Sequence, residues 1–212
     1  MKGRLHYMVD LDDLTEIMNL AYAAKSDLYE TADEHNKPVQ VILHWTAGKY
    51  YSYFDDYHIN IDGDGDVHIT QRDFAHTLPH NYYKNAASIG LTLCCAYNAT
   101  TNDLGDYPPT EAQIEAMAKV MAVLSEALDI DIDIVHFPSH GSSADNLDFT
   151  VYFPDPTNFE NNTYGPRSNC ERWDLQKLRD SDEWTTDPDD PMSGPNQLRS
   201  LARAFRQKFY GH

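Results

Sequence analysis

Histidine is the commonest metal ligand among the side chains, and this chain carries 10. One stands out by its setting. In "VILHWTAG", residues 41–48, an apolar run of β-branched and long aliphatic residues ends on His44 and then breaks into Thr46, Ala47 and Gly48. A strand that ends on a ligand holds it more firmly than a loop does. In open α/β sheets, sites gather at such strand ends. His140, in "HFPSHGSSAD", also follows a run with strand character. Zinc hydrolases use three protein ligands and leave a fourth position for water or substrate. No HExxH helix is present, so any ligands must converge from separate strand ends. A second stretch, "DGDGD", puts Asp62, Asp64, Asp66 and Asp73 at positions 1, 3, 5 and 12 of a calcium loop. Val67 takes the place that needs glycine, and Asp73 the place of the bidentate glutamate. The flanks alternate like strands, so a hairpin turn is the expectation. Cys94, Cys95 and Cys170 make no disulfide framework and are expected as free thiols.

The elements that position these residues follow from periodicity. Leu14, Ile17, Met18 and Ala21 recur at helical spacing and predict a helix over 11–33. Pro38 opens a strand over 39–45. Tyr57, Ile59 and Ile61, then Val67 and Ile69, alternate on either side of the acidic glycine turn and predict a hairpin. Residues 87–96, apolar almost throughout, read as a central strand. Thr110 caps a long helix whose apolar stripe is Ile114, Met117, Val120, Met121, Leu124 and Leu128. "DIDIVHF", 131–137, reads as a short strand, 141–170 as a long irregular loop, "CERWDLQKLRDSDEW" as the start of a short helix, and about 194–210 as a basic C-terminal helix. The sum is a single α/β domain over 1–212, with a mixed central sheet of about five or six strands flanked by helices. Net charge is -18, which opposes binding to nucleic acid and to anionic lipid. No run reaches the roughly 18 apolar residues of a membrane span, and no signal peptide is read at the N-terminus. The expectation is a monomer made in the cytoplasm, without membrane insertion.

The order "HWTAG", "YHINIDGDG", "SIGLTL" resembles the zinc-dependent N-acetylmuramoyl-L-alanine amidases, a superfamily that includes phage-type lysozymes and the animal peptidoglycan recognition proteins. The likeness runs from about 39 to 178. "HFPSHGSSADN" followed by "YGPRSNCERWDL" resembles the late segment of phage-endolysin-type members. The resemblance implies Zn2+ as cofactor, with His44, His140 and Asp174 as its ligands. It implies catalytic roles for Tyr57 and for Arg172, two residues before Asp174 and nominated to stabilise an oxyanion. It implies a substrate groove walled by His76, Asn85 and Ser88, with Tyr152, Phe153 and Tyr164 available for stacking. The substrate would be peptidoglycan, cut at the amide between N-acetylmuramic acid and L-alanine, in lysis of the phage type after release or export by another system. "HGSS" replaces the family's "HAE" and leaves the general base open. His136 and Cys170 stand as rivals for the metal. A non-catalytic peptidoglycan-binding module and a zinc peptidase cutting within the stem peptide are the alternatives.

Overall fold

The computed structural model describes residues 11–81, 84–99, 103–140, 174–183, 185, 187 and 189–212. Its elements are α1 (Leu11–Glu34), β1 (Gln40–Trp45), β2 (Ile59–Ile61), β3 (Val67–Ile69), β4 (Ser88–Leu93), α2 (Glu111–Leu128) and α3 (Gly194–Tyr210). The sheet order is β1-β4-β2-β3. β4 runs parallel to both β1 and β2, and β2 and β3 form an antiparallel hairpin. The mixed α/β class is as expected, with four strands among the described residues.

The two faces of this sheet have different jobs. Val41, Leu43 and Trp45, with Ile59, Ile61, Ile89, Leu91 and Leu93, join the hydrophobic core shared with the helices. Side chains alternate along a strand, so Ile42, His44, Asn60, Gly90 and Thr92 face the other way. In register, His44 lies beside Thr92, and Thr92 beside Asn60. The continuous apolar look of β1 thus hides a polar position.

α2 packs on the sheet and carries α1 and α3 against it. That explains why 14 of its 18 residues are buried, as in a helix enclosed on most sides. Its N-terminus has a capping box. Thr110 Oγ accepts from the Gln113 N–H, and Gln113 Oε1 accepts from the Thr110 N–H. The Gln113 amide also donates to the carbonyls of Ile61 and Cys94. One side chain thereby ties α2 to the ends of β2 and β4.

The acidic turn is a hairpin turn built on Asp62. Its Oδ1 accepts from the N–H groups of Asp64 and Asp66, at 3.0 and 3.1 Å. Its Oδ2 accepts from Tyr53 Oη and lies 2.9 Å from His68 Nε2. Both oxygens are used to shape the turn, which is the local competition that suits aspartate to turns. Cys94 and Cys95 are buried and form no disulfide, as expected, and burial pushes the Cys94 thiol up to about 12. Cys170 lies outside the described residues.

Two expected elements do not form among the described residues. Residues 131–137 form turns and bends instead of a strand. Asp133 captures the chain there: its Oδ1 accepts from the N–H groups of Val135 and His136 and lies 3.0 Å from His136 Nδ1. Arg199 and Arg203 of α3 then donate to the carbonyls of Phe137 and Ile132. The basic face of α3 therefore serves to hold this segment. Likewise, no helix occurs among the described residues of 171–185. Leu175 adopts φ 63°, a left-handed conformation that a helix cannot propagate, and the Asp182 carboxylate takes the Leu178 and Arg179 N–H groups. Among the described residues no helix is long and apolar enough to cross a membrane.

Candidate metal centre

The backbone brings three distant side chains together. Residues 136–140 run parallel to the free edge of β1. Val41 N–H donates to His136 O, Leu43 N–H to Pro138 O, and His140 N–H to Leu43 O. The last of these bonds places His140 beside His44. Asp174 N–H then donates to His140 O, and the Asp174 carboxylate accepts from the Trp45 N–H at 3.3 Å. The three residues are almost wholly enclosed, at 0% exposure for His44, 4% for His140 and 0% for Asp174.

The distances suit a shared ion. Asp174 Oδ2 lies 3.3 Å from His44 Nδ1 and 3.5 Å from His140 Nδ1. One ligand atom from each residue falls within 4.8 Å of the other two. In a tetrahedral zinc site with bonds near 2.0–2.1 Å, neighbouring ligand atoms are about 3.3 Å apart. Two imidazoles and a carboxylate are also a set that zinc accepts. His136 is not part of this group; Asp133 holds it elsewhere.

Tyr57 is buried, with its ring 4.9 Å from that of His44. His76 is exposed, and its carbonyl faces His58 Nε2 at 2.9 Å. Asn85 Oδ1 accepts from the Asn81 N–H, closing the loop ahead of β4. Ser88 is buried, and its hydroxyl lies 2.9 and 2.8 Å from the Lys84 and Asn85 carbonyls. Arg172, Tyr164, Tyr152 and Phe153 lie outside the described residues.

Two histidines escape a reading by motif. His80, four residues after His76, is the one that reaches the centre: its Nδ1 lies 3.0 Å from His44 Nε2 and its Nε2 lies 3.2 Å from Ser88 Oγ. Burial holds it well below the usual imidazole range. His58 stands behind His80, ring centroids 5.9 Å apart. Its Nδ1 accepts from the Gly90 N–H at 3.0 Å, so its proton is on Nε2 and is donated to the His76 carbonyl. The "YH" pair pointed to the right strand, but nothing in the spacing distinguishes His80 from His76.

His58 makes stability depend on pH. Burial pushes it from the usual 6.5 down to about 4, against smaller upward pulls from the His76 carbonyl and Asp73; His76 itself opposes the charge. The unfolded chain therefore binds this proton first as pH falls. Stability is fully present above about 6.5 and declines toward 4, where the loss from this one group is on the order of 3 kcal/mol. Urea unfolding of His58→Gln beside the wild type should show the gap between them narrowing from pH 7 to pH 4. Parallel curves would remove His58 from the account.

What fold and site define together is a buried two-histidine, one-carboxylate centre at the strand ends of a mixed α/β sheet. The family model for N-acetylmuramoyl-L-alanine amidase matches residues 34–148, just over half of the 212 residues, and the chain belongs to that family. That family is named for the hydrolysis of a peptidoglycan amide. The match takes in the whole sheet, α2, His44 and His140, while Asp174 lies beyond it. No curated protein and no solved structure matches the chain.

Proposed function

We propose that the protein is a zinc-dependent amidase that hydrolyses the bond between N-acetylmuramic acid and L-alanine. The observation carrying this is the convergence of His44, His140 and Asp174 on a spacing suited to one tetrahedral ion. Zinc held there supplies Lewis acidity to the scissile carbonyl and to a water molecule. The chain's own residues do the rest. Asp174 brings a negative charge that two neutral histidines lack. Tyr57, packed against His44, presents a phenol that orients a reacting group by hydrogen bonding. Arg172 supplies a fixed positive charge for the oxyanion, and as arginine stays protonated it moves no proton itself. His76, Asn85, Ser88 and Tyr164 remain the proposed groove residues; the enclosure of Ser88 limits it to a supporting part.

Digestion of purified peptidoglycan followed by mass spectrometry tests the reading. Free peptides beginning with L-alanine, together with glycan retaining intact muramic acid, are expected, and a chelator should stop their release. Arg172→Ala should lower kcat on the order of a hundredfold, the usual cost of losing one oxyanion donor. Internally cut stem peptides would make the enzyme a peptidase instead. Binding to the wall without any release would make it a recognition module.

A further inference from the structure

His80 has no role in the reading above, yet its Nδ1 lies 3.0 Å from His44 Nε2. Only 5% of it is exposed, and it meets His44 edge to face, ring centroids 5.1 Å apart at 87°. The two carbonyls against Ser88 set the direction of the hydrogen bonds around His80. Backbone carbonyls only accept, so the Ser88 hydroxyl donates to Lys84 O or Asn85 O. Ser88 Oγ is then an acceptor for His80 Nε2–H at 3.2 Å. That leaves His80 Nδ1 as the acceptor for His44 Nε2–H at 3.0 Å. The ring lone pair of His44 is then on Nδ1 and faces the acceptor-only Asp174 Oδ2, an arrangement that suits a cation between the two atoms.

The sheet also makes room for this ring. A Cβ placed on Gly90 would stand 2.9 Å from His80 Cγ and about as close to two more ring atoms. Gly90 is thus a close-approach glycine on the polar face of β4, beneath the imidazole.

We infer that His80 is a positioning residue for the metal centre: wired through Ser88 to the backbone, it fixes the ring and tautomer of His44 so that Nδ1 is presented to the ion. This deepens the proposed function and rests on its metal reading. Outer partners of this kind orient a ligating imidazole and raise its basicity.

The test is zinc affinity, measured by competition with a chromogenic chelator on metal-free protein. Unfolding of each metal-free variant is measured in parallel. His80→Phe keeps a ring of similar size and removes the acceptor. Zinc binding should weaken about 10- to 100-fold, the usual effect of losing such a partner. His80→Asn places a carbonyl oxygen near the former Nδ1 and should recover much of the loss at equal metal-free stability. Ser88→Ala, a milder change, should weaken binding in the same direction and decides the matter if His80→Phe fails to fold. Affinities of His80→Phe and Ser88→Ala within threefold of wild type would overturn the inference. So would His80→Asn no better than His80→Phe, which is what a merely space-filling ring predicts. Three imidazoles on the wild-type metal by X-ray absorption would overturn it too, by making His80 a ligand. Wild type that takes up no zinc sinks the metal reading itself, whereas wild type that binds zinc but cuts nothing sinks only the proposed activity.

Discussion

His44→Ala is expected to abolish zinc binding and, with it, cleavage of peptidoglycan. The imidazole sits at the one point where every part of the centre meets. Its Nδ1 faces Asp174 and its Nε2 faces His80, and its ring touches those of His140 and Tyr57. His136, the other histidine near this edge of the sheet, is held by Asp133. A site of four ligands that binds zinc with ~10–16 kcal/mol loses on the order of 3 kcal/mol per ligand, more than a hundredfold in affinity. The strand itself should survive, because β1 is held by backbone pairing to β4 and to residues 136–140. Metal content by plasma mass spectrometry should fall from about one zinc per chain to background, with the circular dichroism spectrum retained. Full activity of the wild type in excess chelator, or of His44→Ala, would dispose of the metal reading.

Asp174→Asn should be nearly as severe for the metal and gentler on the fold. The carboxylate oxygen Oδ2 is within 3.5 Å of both histidine Nδ1 atoms and of the Trp45 N–H. Asparagine keeps the shape and an oxygen for Trp45, so the backbone contact to β1 remains. It removes the only negative charge among the three ligands. Metal-free stability should hold or rise, since a buried carboxylate is costly without its ion. Added zinc should stabilise the native wild type by mass action, by about 2.7 kcal/mol at a hundredfold excess over Kd. The melting temperature of Asp174→Asn should no longer respond at the same zinc concentration. Cys170→Ser, the neighbouring change, should respond as wild type does. The reverse pattern would move the third ligand to Cys170.

The residues show why some of this was legible without a structure. β1, α1, α2 and α3 are local facts: alternation or helical spacing plus a cap specifies each, and the predicted limits agree with Gln40–Trp45, Leu11–Glu34, Glu111–Leu128 and Gly194–Tyr210 to within one or two residues. The hairpin around Asp62 is local as well, because an aspartate bonding two residues ahead needs no partner from elsewhere. Where a distant group competes, local pattern loses. The alternation of 131–137 promised a strand, but Asp133 takes two of its N–H groups and two arginines of α3 take its carbonyls.

What the sequence by itself determined is the class of the molecule. It specifies a helix-flanked α/β sheet, a strand that ends on His44, and an ordered set of motifs belonging to an amidase family. Only the tertiary structure decided the working neighbourhood of that histidine. Asp174 is 130 residues from His44, and nothing in that spacing says they meet; the meeting depends on residues 136–140 bonding along β1. Nor does the order of residues prefer His80 over His76. The choice is made by Gly90, which leaves a space of one imidazole on the polar face of the sheet. Side-chain type is written in the chain, but the hydrogen bond that directs a ring nitrogen is a property of what packs against it.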